Sequence, residues 1–273
     1  MIINADSAQL YRDVRIVSAA PSEEELSRAE HRLYGVLDGA APCSAADWAA
    51  MARGAIEEVH AHGKTPILVG GTGLYLRTLI NGIAPIPAID AGVRREVRAA
   101  DVEANRERLI KLDRTSAVRL NPADTLRIAR ALEVVLSTGR TLGEWQDRRQ
   151  GGIGDAITLR PLVLLPPREW LYARCDERFA AMIEGGAIDE VEALLKRGLD
   201  PKLPVMRAIG VREIAAFLSG EIDRAAAIAR GQQATRNYAK RQYTWFAHQP
   251  PPEWPRFTEP ASEAALELLT ASA

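Results

Sequence analysis

The stretch Pro66-Ile67-Leu68-Val69-Gly70-Gly71-Thr72-Gly73 contains the clearest fold signal in the chain. A short apolar run that ends in glycines is typical of a buried strand followed by a turn. Helical spacing resumes from Leu74 to Asn81, so the segment predicts a βα unit of an α/β protein. Backbone N–H groups in such a turn attract phosphate, although glycines at this place also permit close packing.

The amino-terminal stretch Met1-Ile2-Ile3-Asn4-Ala5-Asp6-Ser7-Ala8-Gln9-Leu10-Tyr11 has a related organisation. Ile2 to Asn4 is predicted to form an apolar strand, and Asp6 follows its carboxyl end. Ligands of open α/β sheets bind outside the carboxyl ends of the strands, which makes Asp6 a candidate catalytic carboxylate. The alternative is that Asp6 and Ser7 cap the next turn or helix.

Two further predictions concern the amino-terminal third of the chain. Val14 to Val17 is a possible second strand, because three of its four residues are apolar. A helix is expected from Ser44 to His62, with Ser44 and Asp47 spaced as in a capping box.

Helices dominate the remainder. Prolines 85 and 87 and Asp90 break the chain before an Arg-rich helical region from about 91 to 148. Pro161 to Pro167 is the last clear strand, and helices follow from Arg168 to about Phe246, with a closing helix near 262–270. We expect an α/β core of residues 1–87 and 151–273, with a helical insertion over 88–150.

Composition excludes several classes of protein. Thirty-five basic residues balance thirty-six acidic ones, so any contact with nucleic acid must come from local clusters. Cys43 and Cys175 are isolated, and the four His lack metal-ligand spacing apart from a weak His60-x-His62, which argues against disulfides and zinc sites. No signal peptide or membrane-spanning run is visible, and we expect a cytoplasmic protein.

Three basic clusters have both a functional and a structural interpretation. Arg127 and Arg130 lie on one side of an amphipathic helix over 126–135, where they can bind phosphate or pair with Glu133. Arg174 and Arg178 are one turn apart and can neutralise a diphosphate or pair with nearby acids. The segment 236–245 mixes basic and aromatic residues, which suits RNA but also a stripe of Tyr238, Gln242 and Trp245 that faces the core.

Taken in order, these segments resemble the tRNA dimethylallyltransferases, also called tRNA isopentenyltransferases. The resemblance runs from residue 2 to about 247. The blocks that carry it are Asn4 to Tyr11, His31-Arg32-Leu33, Ser44 to Trp48, Val69 to Tyr75, Arg127 to Val134, Arg207 to Glu213 and Thr235 to Trp245.

The resemblance implies an activity and a set of roles. A dimethylallyl group moves from dimethylallyl diphosphate to N6 of the adenosine 3′ of the anticodon, with Asp6 as the general base and Arg178 binding the diphosphate, to which the spacing adds Arg174. Mg²⁺ is implied as cofactor, and we expect a monomer that does not contact membranes. The residues implied to bind the tRNA anticodon stem-loop are Asp6, Ser7, Ala8, Gln9, Thr72, Arg94, Leu126, Arg127, Ile128, Ala129, Arg130, Arg207, Ala208, Ile209, Gly210, Val211 and Arg212.

The fold implied by the resemblance is a parallel sheet like that of P-loop NTPases, with a helical insertion and a helical carboxyl-terminal region. Family members begin with a strand and a P-loop, Gly-Pro-Thr-x-Ser-Gly-Lys-[Ser/Thr], but no Gly-x4-Gly-Lys-[Ser/Thr] occurs in these residues. We expect that the chain was defined from an internal start and that, as given, it transfers little prenyl group.

Two other classes of function stay open at this point. One is a truncated relative that binds an anticodon arm but does not hold the diphosphate. The other is a nucleotide kinase or another P-loop phosphotransferase, which the blocks after residue 120 argue against because they have no role in such enzymes.

Overall fold

The computed structural model describes residues 1–260, 262 and 265, and this part of the chain contains two small parallel sheets. The first has the strand order β2-β1-β3, and the second pairs β4 with β5. The strands are β1 (Ile2–Asn4), β2 (His31–Arg32), β3 (Ile67–Val69), β4 (Val163–Leu164) and β5 (Arg256–Phe257).

Strand β1 lies at the centre of the first sheet. Ile3, which is fully buried, pairs with Arg32 on one side and with Leu68 on the other. The predicted strand at 66–69 is confirmed as β3, but the expected burial is wrong: Ile67 and Val69 are 48% and 49% exposed. The reason is that β3 is an edge strand with a neighbour on one side only.

Helices make up most of the described chain, as predicted. Their bounds are α1 (Glu23–Arg28), α2 (Ala45–Ala61), α3 (Gly73–Asn81), α4 (Ala91–Ala99), α5 (Val102–Leu112), α6 (Arg114–Arg119), α7 (Thr125–Thr138), α8 (Leu142–Gln146), α9 (Arg168–Glu184), α10 (Ala187–Lys196), α11 (Val211–Leu218) and α12 (Arg224–His248).

Helix α2 shows how local sequence fixes the core. Ser44 and Asp47 form the predicted capping box, and the helix ends at the predicted place, before Gly63. Its Trp48 is fully buried and donates from Nε1 to the carbonyl of Asn4 at 2.9 Å. This hydrogen bond ties α2 to the end of β1, two residues before Asp6.

The predicted strand over Val14 to Val17 is wrong. Arg12–Val14 form a short 3-10 helix. The amides of Ile16 and Val17 donate to the carboxylate of Glu190 at 2.8 and 3.0 Å, so this segment takes its hydrogen bonds from a side chain of α10 and not from a neighbouring strand.

The strand predicted at 161–167 is present only as Val163–Leu164, and it is not the last strand, because β5 follows it. Both β2 and β5 contain only two residues, one of them Arg in each case, and such short segments carry no periodic signal. The closing helix predicted near 262–270 lies almost entirely outside the described residues.

The chain forms two compact units. One consists of residues 1–77 and 157–273, and the other of residues 78–156, against predicted boundaries at 88 and 150. The second unit is helical and has its own apolar core, in which Leu109, Ile128 and Leu132 are at most 1% exposed. None of the helices in the described ranges combines the length and apolarity needed to cross a bilayer.

Candidate active site

The turn after β1 is held by the side chain of Asn4, which is fully buried. Its Oδ1 accepts from the amide of Asp6 at 2.7 Å, and its Nδ2 donates to the carbonyls of Asp6 and Leu33, both at 2.9 Å. Every polar atom of this amide therefore has a partner, as burial requires. The result is a fixed backbone at Asp6.

The Asp6 side chain is partly buried and faces a cleft. Its Oδ1 accepts from the amide of Ala8 at 2.8 Å, so the predicted turn-capping role of Asp6 is also present. Burial raises the pKa of Asp6 above its ordinary value, while hydrogen bonds from the backbone of Ala8 and Gln9 and the charge of Arg178 act in the opposite direction. A carboxylate with a raised pKa at a strand end suits proton transfer.

The glycine-rich loop after β3 packs closely against its surroundings. A Cβ atom would lie 2.2 Å from the carbonyl carbon of Ala5 at Gly70, 1.9 Å from Nε2 of Gln242 at Gly71, and 2.5 Å from the indole of Trp245 at Gly73. These glycines therefore permit close packing, which was one of the two roles predicted for them. The amide of Thr72 donates to the carbonyl of Ala5 at 3.1 Å and does not point at an open phosphate site.

Thr72 joins the two loops that follow β1 and β3. Its Oγ1 accepts from the amide of Ser7 at 3.0 Å and donates to the Ser7 hydroxyl at 3.4 Å. The Tyr238 side chain of α12 lies near Thr72, and burial raises the pKa of Tyr238. From the same helix, α12, Gln242 donates to the carbonyl of Gly71 at 3.0 Å. The Tyr238, Gln242 and Trp245 stripe thus packs on the glycine-rich loop.

These elements form a cleft of about 500 Å³, which we call the Asp6 cleft. Its size falls in the range of small-molecule sites, roughly 300–1,000 Å³. The structure brings eight of the predicted site residues together in its lining: Asp6, Ser7, Ala8, Gln9, Arg178, Arg207, Ala208 and Ile209. Gln9 has a structural task as well, because its Nε2 donates to the carbonyls of Ser18 and Ala19 at 3.0 and 2.8 Å.

The two arginines of α9 occupy different environments. Arg178 lines the Asp6 cleft and forms no salt bridge with any described residue. Arg174 lies over the ring of Trp170 and pairs with Glu177 at 3.4 Å, so the predicted pairing with a nearby acid is present. Only Arg178 of this pair is placed to meet an anion in the cleft.

Three predicted residues lie next to the cleft lining and not in it. Gly210 has a φ of +99°, and a Cβ there would lie 3.2 Å from the ring of Phe179. Val211 is 1% exposed and belongs to the core, whereas Arg212 is exposed.

The other predicted contacts belong to the helical unit. Ile128 and Ala129 are buried in its core, while Arg94 and Arg127 are exposed. Leu126 is 68% exposed. Arg130 approaches the buried carboxylate of Glu133 at 4.0 Å, so the expected internal pair is present.

Three residues that line the cleft were not predicted to be site residues. These are Tyr11, Cys43 and Tyr75, and Tyr75 stacks on Trp48 with ring centroids 4.7 Å apart. Burial raises the pKa of Tyr11 to about 12 and also raises that of Tyr75. Its position in the sequence could have identified Tyr75 as a residue of the cleft, because it lies one turn beyond Thr72, at the start of α3.

A metal ion would find few protein ligands here. Within the described residues, no group of three or more His, Cys, Asp or Glu side chains is arranged to hold one. The cleft itself offers one carboxylate, Asp6. These donors do not by themselves fit a Mg²⁺ site, which normally combines carboxylates with waters and substrate phosphates.

The chain shares its fold with solved structures of tRNA isopentenyl- and dimethylallyltransferases. The chain is similar to the full-length tRNA isopentenylpyrophosphate transferase of Bacillus halodurans, with a TM-score of 0.69, 30% identity and coverage of 99% of this chain and 86% of that one. It is also similar to a eukaryotic dimethylallyltransferase acting on tRNA, with a TM-score of 0.72, 27% identity and coverage of 89% and 62%.

Sequence relatives identify the family. The chain is 62% identical over 256 residues to the tRNA dimethylallyltransferase of Erythrobacter litoralis, covering 94% of this chain and 81% of that protein. It is 62% identical to that of Novosphingobium aromaticivorans, covering 94% and 91%. The family model described as IPP transferase matches residues 9–249, and the chain belongs to this family.

Proposed function

We propose that this protein transfers a dimethylallyl group from dimethylallyl diphosphate to N6 of the adenosine 3′ of the anticodon in tRNA. The observation that carries the proposal is that Asp6 and Arg178 line one cleft of about 500 Å³, in a chain that belongs to the IPP transferase family. A proton acceptor and an anion-binding group are the two protein functions that this reaction needs.

The proposed reaction is a substitution at an allylic carbon. The lone pair of N6 forms a bond to C1 of the dimethylallyl group, and the C1–O bond breaks with its electron pair leaving on the diphosphate. Asp6 accepts the N6 proton. The guanidinium of Arg178 stabilises the charge that develops on the leaving diphosphate.

The shape and lining of the cleft suit these substrates. Tyr75, Phe179 and Met182 offer apolar surface for the prenyl chain and the adenine ring. An adenosine stacked in an anticodon loop does not reach an enclosed carboxylate, so we propose that it leaves the stack before it reacts. We further propose a monomer that works in the cytoplasm without membrane contact and with Mg²⁺ accompanying the diphosphate.

The test is transfer of labelled prenyl group into an anticodon stem-loop. Two proteins are compared: the 273 residues as given and the same residues preceded by a family P-loop segment. A matched RNA carries guanosine in place of the target adenosine. We expect label only in the adenosine RNA. Stem-loop binding without transfer by either protein would favour the alternative, a tRNA-binding relative without catalytic activity.

A further inference from the structure

The helical unit contains a buried carboxylate shared by two arginines. Glu133 on α7 is 1% exposed at its side chain, and its Oε1 accepts from Nε of Arg98 on α4 at 2.5 Å. Arg130, one turn before Glu133 on α7, approaches Oε2 at 4.0 Å. A buried charge is costly without partners, so Glu133 requires these guanidinium groups to stay near it.

The two arginines differ from Glu133 in that they reach the surface. Their side chains are 42% and 40% exposed. A guanidinium has five N–H donors, and the bond from Nε of Arg98 leaves its terminal nitrogens for other acceptors. The buried carboxylate therefore holds the half-exposed Arg98 fork by a hydrogen bond and keeps Arg130 nearby as an ion pair, with donors of both left for other acceptors.

Helical geometry extends this pair into a surface. Arg94 lies four residues before Arg98 on α4, and Arg127 lies three before Arg130 on α7, so each pair shares a helix face. Helices α4 and α7 run antiparallel, since the amide of Asp90 donates to Ser137 while Arg98 reaches Glu133. We call Arg94, Arg98, Arg130 and Arg127, in this spatial order, the arginine surface.

We propose that Arg98 binds a phosphate of the RNA backbone and that Glu133 is the positioning residue that orients Arg98 and Arg130 for this contact. The proposal rests on the tRNA substrate proposed above. It extends the RNA surface to a residue that neither the motifs nor the resemblance indicated. Arginine forks held by a carboxylate lose less side-chain entropy on binding, which is the advantage of a fixed geometry.

The experiment measures binding of a fluorescent anticodon stem-loop by the full chain, titrated from low to moderate salt. The variants are Arg98→Ala, Arg98→Lys and Glu133→Gln. The matched control is Arg108→Ala, since Arg108 pairs with Glu96 at 2.7 Å, and Glu96 is about 200° around α4 from Arg98. Circular dichroism at the assay temperature verifies that each variant is folded.

We expect Arg98→Ala to weaken binding roughly tenfold at low salt and to make the logarithmic salt slope shallower by about 0.7–0.9. Arg98→Lys keeps the charge that Glu133 needs, so it should retain the slope while losing affinity. Arg108→Ala should leave both quantities unchanged. This set separates loss of an RNA contact from loss of the fold.

Glu133→Gln gives the sharpest result because two explanations predict opposite signs. It removes a negative charge, so simple attraction between charges would strengthen RNA binding. If Glu133 positions the two forks, binding weakens in spite of the added net positive charge. Equal or tighter binding by Glu133→Gln, or an unchanged slope for a folded Arg98→Ala, would overturn the inference alone. Failure of the unmodified protein to bind the stem-loop would overturn the proposed function together with it.

Discussion

The Asp6 cleft and the arginine surface place charged groups in opposite ways. In the cleft, the Asp6 carboxylate accepts from the amide of Ala8, the buried Asn4 side chain holds the Asp6 backbone, and burial raises the pKa of the carboxylate. On the helical unit, the charges are long, exposed guanidinium groups, and the buried member is their acidic partner, Glu133. The first arrangement suits a single proton transfer, and the second suits a polyanion that offers many equivalent phosphates.

This contrast implies that mutations in the two regions should change different measured quantities. Loss of a cleft group should reduce the turnover of bound RNA. Loss of a surface arginine should reduce RNA affinity and its dependence on salt. Assays of turnover use the protein preceded by a family P-loop segment, as above.

The largest expected effect comes from the proton acceptor. Asp6→Asn should reduce turnover by roughly 10²- to 10⁴-fold, the range for losing general-base help, with little change in RNA affinity. Single-turnover prenyl transfer and stem-loop titration measure the two quantities. If affinity collapsed while turnover of the bound complex persisted, Asp6 would be an RNA contact or a structural cap.

The raised pKa of Asp6 also gives this variant a pH signature. Turnover by the unmodified enzyme should fall as pH drops through the raised pKa, above the ordinary value of 3.8, and Asp6→Asn should lack this limb. A carboxyl whose pKa is raised on folding stabilises the fold below its unfolded pKa and loses that contribution as pH rises. Asp6→Asn should therefore unfold at higher denaturant than the unmodified protein near neutral pH, with the difference vanishing in acid.

The second-largest effect should come from Arg178. Arg178→Ala should lower turnover by roughly 10²- to 10³-fold, as for removal of one group that stabilises developing negative charge, and should weaken diphosphate binding. The salt slope for RNA should stay unchanged. Arg174→Ala is the matched control on the same helix, because Arg174 pairs with Glu177 outside the cleft. An equal loss from both variants would restore Arg174 as a diphosphate ligand.

A third variant tests whether close packing of the glycine-rich loop contributes to the free energy of unfolding. Gly73→Ala would place a Cβ 2.5 Å from the indole of Trp245 and should cost about 1–3 kcal/mol of unfolding free energy. Gly54→Ala is the control: no atom lies within 4 Å of its added Cβ in α2, so it should stabilise the protein by about 0.5–1 kcal/mol. Urea unfolding followed by circular dichroism measures both. Equal stabilities for Gly73→Ala and the unmodified protein would show that Trp245 moves aside freely.

The same loop shows what sequence reasoning can and cannot predict. The βα unit and the capped helix α2 were predictable because strand runs, capping residues and glycine turns act within a few residues. The contact of Gly71 with Gln242 was not, because it joins positions 171 residues apart. The local sequence was compatible with two roles for the glycines, phosphate binding and close packing. Their packing role became visible only from the position of α12.

The other differences between the predictions and the structure also come from contacts between residues that are distant in sequence. Val14 to Val17 is apolar enough for a strand, but its amides bind the carboxylate of Glu190, a residue of a distant helix. Arg174 and Arg178 lie one turn apart on the same helix, and the sequence does not distinguish them. Only Arg178 lines the cleft. The motifs therefore indicated which residues carry chemistry, while tertiary contacts determine which of them meet.

The smallest expected effects come from variants of the arginine surface. They test the other half of the comparison, the effect on RNA affinity. Arg130→Ala and Arg127→Ala should each weaken stem-loop binding and make the salt slope shallower by up to about one unit, without changing diphosphate affinity. Arg127 should have the smaller effect, because its side chain is 77% exposed and its one salt bridge among the described residues is with Asp124, at 3.4 Å. Its guanidinium must be ordered when RNA binds, which offsets part of the gain. Salt titrations of both variants and of Arg178→Ala test whether Arg127 and Arg130 contact RNA phosphate. Unaltered slopes for both variants would show that this helix face is an ordinary solvated surface.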